Sequence, residues 1–338
     1  MHEGMNLGQP SSLIHWRQRC LVWLAIVGAA HAGTLQRYEA VEPHMGTLFR
    51  IELYAPDADR AREAFQAAFA RIADLDQALS DYKPDSELNR VCAGGAGLPL
   101  KVSNDLYAVL QESLEMSRKS DGAFDVTLGP VIRLWRQARR EHHLPDPAQL
   151  RAAAARCGYY KLHLDAAAGT AKFDQGGMQL DLGGIAKGWA AEAALMVIGR
   201  QGIRSALVAA SGDLAFSDAP PGKAGWTIGL GSASRLAMLS NCAVSTSGAS
   251  EQFVEIGGVR YSHIIDPATS LGLTRDVTVT VVAPHGGQAD SLALAVSVLD
   301  AARGRRLIER EPGAAAIVTI REGGALRITQ LGARVMKK

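Results

Sequence analysis

The sequence is short of cysteine, aromatic residues, long apolar runs and net charge, and each shortage excludes something. Its cysteines are Cys20, Cys92, Cys157 and Cys242. No pair has metal-ligand spacing, and the three beyond Cys20 do not make a disulfide framework, although one bridge stays open to them. They read best as small buried hydrophobes. Aromatics are 6% of the chain, which argues against base-stacking platforms. The 36 basic and 34 acidic residues nearly cancel and form no basic stripe, so no nucleic-acid partner is expected. His142 and His143 are adjacent on a basic segment and read as solvated, with no metal role. The longest apolar run, Leu21 to Ala30, is too short for a comfortable membrane span.

That run has a different use. Arg17 and Arg19 flank it, and Ala30-His31-Ala32 closes it with small residues at a cleavage spacing. Residues 1–32 therefore read as a secretory signal, with a mature chain over 33–338. The hydrophobic content of 47% is ample for one large domain or two fused lobes.

Periodicity then gives the elements. Thr47 to Tyr54 alternates as a strand, with Phe49, Ile51 and Leu53 on one face. Asp57 to Leu79 carries Phe65, Phe69, Ile72 and Leu79 at helical spacing. Ser80 to Asn89 reads as a surface loop, and Asn104 to Arg118 as a helix capped by Ser103 or Asn104. Gly129-Pro130 interrupts the run from Ala123 to Trp135, and Arg136 to Pro147 reads as a charged loop. Lys161–Asp165 and Thr170–Asp174 read as a hairpin. Short strands follow at 205–210, 226–230, 253–256, 259–265 and 277–283, with Gly257-Gly258 as a tight turn. A helix over 289–300 and strands at 315–320 and 326–329 complete the chain. Helices mixed with antiparallel hairpins, without regular βαβ alternation, give an α+β class rather than a doubly wound sheet.

The most informative stretch is Asp181-Leu182-Gly183-Gly184-Ile185-Ala186-Lys187-Gly188. An alternating run, Met178 to Leu182, reads as a strand that stops at paired glycines, and a helix-like run begins at Trp189. Such a junction leaves backbone N–H groups where an anion can sit, and Lys187 adds a positive charge. The stretch matches neither the P-loop nor the dinucleotide-binding glycine pattern.

Five segments in order carry more than any one alone. They are Met45-Gly46-Thr47; Ser80 to Asn89; Gly122-Ala-Phe-Asp-Val-Thr-Leu-Gly-Pro130 with Leu134-Trp135; Asp181 to Gly188; and a last group of Thr246-Ser247-Gly248, Tyr261-Ser-His-Ile-Ile-Asp-Pro267 and Ala289-Asp290-Ser-Leu-Ala293. This series resembles the ApbE family of FAD:protein FMN transferases. The resemblance runs from about Met45 to about Asp300.

The resemblance implies a T-fold-like unit of two lobes with mixed and antiparallel sheets. It implies FAD as substrate, Mg²⁺ as cofactor, and transfer of FMN to a Thr or Ser hydroxyl of a flavoprotein with release of AMP. The acceptor would carry a Ser/Thr-Gly-Ala-Ser/Thr core, and membrane redox complexes are candidate partners. A periplasmic location fits the signal. By motif position, Ala186 (through its carbonyl) and Asp290 are the expected metal ligands. Met45, Tyr82, Ala123, Phe124, Asp125, Lys187 and Ile265 are expected to bind the dinucleotide. Lys187 can reach the pyrophosphate. His263 is expected to act as general base, which suits an imidazole titrating near neutrality. Asp266 either orients His263 or shapes the turn before Pro267.

The match has departures. Leu294 stands one helical turn after Asp290, where the family has a metal-ligating hydroxyl. Ser211-Gly212-Asp213 and Thr269-Ser270 replace the family's usual turns. Two other activities stay open on sequence alone: FAD pyrophosphatase action, and flavin binding with little catalysis.

Overall fold

A computed structural model describes residues 35–231, 235–249 and 252–332. The expected signal over 1–32 lies outside them. The frame is an eight-stranded sheet in which chain neighbours are sheet neighbours throughout. Its strands are Gln36–His44, Thr47–Ala55, Ala206–Ala210, Asp213–Phe216, Cys242–Gly248, Asp276–Ala283, Ala315–Glu322 and Ala325–Gly332. Every pairing is antiparallel. The α+β reading stands, and the strands at 36–44, 213–216 and 242–248 add to it.

Period-two alternation sorts the side chains between the two faces. Phe49, Ile51, Leu53, Val208 and Val281 join the main core, while Leu207, Leu214, Val244 and Val282 turn to the other face. There they meet Trp226, Leu230 and Ala237 of the hairpin Trp226–Leu230/Arg235–Leu239. Each fully buried large apolar side chain on the main face contributes about 1.5–3 kcal/mol.

Helices cover the main face. α1 (Ala58–Leu79) packs on the first two strands and starts at Asp57, whose side chain accepts from the Arg60 N–H; such a cap is worth about 1 kcal/mol. α2 (Glu87–Ala93) and α3 (Asn104–Lys119) follow, capped by Ser86 and Ser103. α4 (Gly129–Glu141) and α5 (Pro147–Ala154) pack together beside the second core cluster. α6 (Ala186–Arg200) packs on α1, on α7 (Gly286–Val298) and on strands 206–210 and 213–216. α8 (Ala301–Arg310) closes over the last strands.

Three sequence expectations are corrected. The segment 80–89 is not wholly surface loop, because its end enters α2 and buries Ser86 and Leu88. The residues from Arg136 to Glu141 are helical, and the chain turns only at His142 (φ 54°). Met178 to Leu182 alternates as expected, with Met178, Leu180 and Leu182 buried, but it is not a strand. It makes one parallel bridge, Gln179 to Leu128, and its other backbone bonds go to Val126 O and Cys92 Sγ. Alternation records burial on one side; it does not supply a neighbouring strand.

Where α3 meets the start of α7, Glu112 Oε1 has no hydrogen-bond partner among the described residues. Burial, and then the Glu192 charge, push its carboxyl up to about 7 from an ordinary value of 4.5. A folded-state value above the unfolded one means that the group stabilises fully below about pH 4.5 and that this contribution is lost as pH rises through about 7. Glu112→Gln, an isostere of the neutral acid, is therefore expected to raise stability by about 2 kcal/mol at pH 8 and to change little at pH 4.5. Denaturant melts at the two pH values check this. Equal effects at both would refute it.

Candidate active site

The turn Asp181-Leu-Gly-Gly184 folds on itself before α6. Asp181 Oδ1 accepts from the Gly183 N–H at 2.9 Å, and the Ala186 N–H returns to Leu182 O at 2.9 Å. α6 then begins behind Ile185, which supplies no side-chain cap. The missing cap comes from another helix: the Gly188 N–H donates to Asp290 Oδ2 of α7 at 3.3 Å. The Gly183, Ala186 and Gly188 N–H groups at this junction are thus taken by the protein, and the anion at this helix start is Asp290.

Lys187 lies among three acceptors. Its Nζ is 2.8 Å from Gly183 O, 3.2 Å from Asp213 Oδ2 and 3.6 Å from Asp290 Oδ2. Asp213 comes from the strand beneath and faces the helices. Ser245, directly opposite it on the next strand, donates to Asp213 Oδ1 at 2.5 Å. Both aspartates are buried, at 3% and 6% exposure. Burial, then the Asp213 charge, push the Asp290 carboxyl up against the opposing pull of Lys187. Burial alone would lower the Lys187 ammonium, but Asp290 and Asp213 outweigh it and hold it above its ordinary value. One lysine between two buried carboxylates leaves an excess negative charge in a dry place when both are ionised, which is costly unless a proton or a cation shares it.

That excess charge is the test of fit for a divalent metal. Among the described residues no group of three or more His, Cys, Asp or Glu side chains suits a metal ion. Mg²⁺ does not require one, since it is commonly held by one or two carboxylates with waters and substrate phosphates. The Asp290 carboxylate and the carbonyl of Ala186, in the first turn of α6, are hard oxygen donors of the right kind. Leu294 supplies none. It packs on the paired-glycine turn, where a Cβ on Gly184 would lie 2.6 Å from Leu294 Cδ1 and 3.4 Å from Phe124 Cε2.

The other expected residues surround this centre in different ways. Phe124 and Ala123 are buried in the main core. The oxygens of Asp125 are engaged internally: Oδ1 accepts from the Thr127 N–H and hydroxyl, and Oδ2 from the Tyr159 N–H at 2.9 Å. Met45 (φ 48°) and Gly46 form the turn between the first two strands, beside a cavity of about 470 Å³ that also reaches buried Asp76. Tyr82 is 69% exposed, with the Arg136 guanidinium 4.3 Å from its ring centroid. Ile265 packs with Trp135 and Val254 in the second cluster. His263 Nδ1 is 3.0 Å from Gln252 O. A carbonyl only accepts, so Nδ1–H donates and the neutral ring carries its basic lone pair on Nε2.

Residues without an assigned role in the sequence hold the motifs together. Arg136 bonds Asp81 and, at 2.7 Å, Asp181 Oδ2, joining the second segment to the fourth. The Asp181 N–H donates to Val126 O at 2.8 Å, joining the fourth to the third. Trp135 Nε1 donates to Ser270 O at 2.8 Å, joining the third to the His263 segment. Lys83 and Asp76 pair at 2.8 Å beside the Met45 turn. Asp213 had one sequence signal, the Ser-Gly turn before it, where Ser211 takes a φ of 59°. Arg136 had none, because it sits in an arginine-rich segment with Arg133, Arg139 and Arg140 around it.

Five segments spread over most of the chain are thus tied into one neighbourhood. The ApbE family model matches residues 45–318. The chain belongs to the ApbE family. It is 34% identical over 332 residues to the FAD:protein FMN transferase of Treponema pallidum, covering 91% of each chain. It is 30% identical over 291 residues to that of Salmonella typhimurium, covering 82% of this chain and 83% of that one. Among solved structures it resembles the flavin transferase ApbE from Vibrio cholerae, with a TM-score of 0.80 and 26% identity over 88% of this chain and 97% of that one. The Pseudomonas stutzeri flavinyl transferase ApbE gives 0.79 and 28%, over 89% and 96%.

Proposed function

We propose that this ApbE-family chain is an FAD:protein FMN transferase. The reading rests above all on the buried Asp213–Lys187–Asp290 group at the start of α6, with its excess negative charge. In the proposed reaction the hydroxyl oxygen of an acceptor Thr or Ser attacks the flavin-side phosphorus of FAD. The bond from that phosphorus to the bridging oxygen breaks. AMP leaves with that oxygen, and the hydroxyl proton goes to a base. Bound Mg²⁺, held by Asp290 and the Ala186 carbonyl, supplies charge neutralisation at the phosphates. Lys187 holds the two carboxylates close, and can exchange one of its acceptors for a phosphate oxygen. Tyr82 offers exposed ring surface, Phe124 and Ala123 back the dinucleotide from the buried core, and Met45, Asp125 and Ile265 line it. The acceptor is a flavoprotein with a Ser/Thr-Gly-Ala-Ser/Thr core, and membrane redox complexes are the candidate carriers of it. Residues 33–338 act as one two-lobed catalytic unit, exported to the periplasm by the signal over 1–32.

His263 is the proposed base, with Nε2 receiving the proton. General-base removal commonly costs about 10²–10⁴-fold. His263→Ala is expected to slow transfer to an acceptor peptide by about 10²-fold or more while FAD affinity stays within threefold. Peptide mass gain and FAD fluorescence titration read the two quantities. A variant that loses FAD binding and transfer together would remove His263 from the base role.

A further inference from the structure

The contact between α6 and α7 has a reciprocal geometry. On α6, Gly188 and Glu192 are four residues apart and share a face. On α7, Gly286 and Asp290 have the same spacing. The Gly188 N–H donates to Asp290 Oδ2 at 3.3 Å, and the Gly286 N–H donates to Glu192 Oε2 at 2.7 Å. Each helix therefore caps the start of the other with a carboxylate. Neither Ile185 nor His285, the residues at the two N-cap positions, provides a side-chain cap. The two glycines let the backbones touch: a Cβ on Gly188 would lie 2.1 Å from Gly286 O, and one on Gly286 would lie 2.0 Å from Gly188 O. One carboxylate of this clasp, Asp290, belongs to the site. The other, Glu192, is one turn further along α6 and is braced by His285 Nδ1 at 2.9 Å.

We infer that Glu192 is a positioning residue, which by holding the start of α7 against α6 fixes Asp290 beside Lys187. The consequence for turnover rests on the transferase reading; the mechanical coupling does not. Glu192 reaches neither Lys187 nor Asp290 through its own hydrogen bonds, so its effect must pass through the start of α7, by the Gly286 N–H and His285. Glutamine keeps an oxygen acceptor for that N–H, and its amide can donate to the other imidazole tautomer, whereas alanine keeps nothing.

The test compares the full chain with Glu192→Ala and Glu192→Gln. In steady-state AMP release from FAD with Mg²⁺ and the acceptor peptide present, Glu192→Ala is expected to lower kcat at least tenfold with KM for FAD within threefold, and Glu192→Gln to return kcat to within threefold of the parent. Amide hydrogen exchange of the segment over 183–190, to which the Glu192 side chain makes no hydrogen bond, is expected to quicken about tenfold in the alanine variant and to recover in the glutamine variant. If the parent releases no AMP, the transferase reading fails and the exchange data alone decide the clasp. Unchanged exchange at 183–190 in Glu192→Ala overturns the coupling. Altered exchange with an unchanged kcat overturns the positioning role, as does a kcat loss that glutamine does not restore.

Discussion

Asp290→Asn is expected to reduce AMP release from FAD to below 1% of the parent rate while the fold survives. The two effects separate because of the charge count. Asp213, Lys187 and Asp290 together carry one negative charge in excess, and both carboxylates are buried. Losing one partner of a buried pair usually destabilises by about 3–5 kcal/mol, because an unpaired charge is left behind. Here the substitution leaves Asp213 and Lys187 balanced, and the asparagine oxygen can still accept from the Gly188 N–H. Stability is therefore expected to change by less than about 1–2 kcal/mol. The chemistry has no such compensation. Without the carboxylate the site loses its charged metal ligand, and electrostatic stabilisation of a transferring phosphoryl group is worth about 10²–10³-fold or more per element removed. Activity above a tenth of the parent, with the melting temperature retained, would remove Asp290 from the reaction.

Gly188→Ala is expected to damage both fold and activity, although alanine favours helices. The helix propensity gain is about 1 kcal/mol. Against it stands a Cβ 2.1 Å from Gly286 O and 3.0 Å from Asp290 Cβ. The first of these atoms is backbone, so α6 and α7 must move apart to relieve the overlap. Overpacking commonly costs about 1–3 kcal/mol and occasionally more, so the net is a loss of up to about 2 kcal/mol. The movement also separates Asp290 from Lys187, so the activity loss is expected to exceed what the stability change explains. Thermal melts and AMP release on the same preparation test this. An alanine variant as stable and active as the parent would mean that the two helices are not in contact at this point.

How much of this was legible in the sequence depends on the range of the interaction. Elements that bury one side of a local repeat were plain: Phe49, Ile51 and Leu53 gave the strand, and Phe65, Phe69, Ile72 and Leu79 gave α1, with limits within two residues. Met178 to Leu182 was misread because its alternation is real while its hydrogen-bond partners are a loop carbonyl and a cysteine sulfur. The strand Asp213–Phe216 escaped because Asp213 breaks its apolar pattern, and Asp213 is there to meet Lys187. The neighbourhood of Lys187 and Asp290 could be anticipated from motif order, but the placement of Asp213 and Ser245 against them could not, since their partners lie 26 to 32 residues or more away along the chain. Glu192 looked like an ordinary surface charge on a helix, and Arg136 like one on a charged loop. Only the packing of α6 on α7, and of α4 against the Asp181 turn, gives them a task.

The central claim is that the Lys187–Asp213–Asp290 site cleaves FAD and passes its flavin half to a protein. The most direct measurement is AMP release from FAD by the purified chain lacking residues 1–32, in Mg²⁺ or EDTA, with and without a peptide bearing a Ser/Thr-Gly-Ala-Thr core. The account predicts Mg²⁺-dependent AMP in step with a peptide that gains the mass of FMN. FAD bound without AMP, or AMP formed at the same rate with no peptide and no adduct, would contradict it.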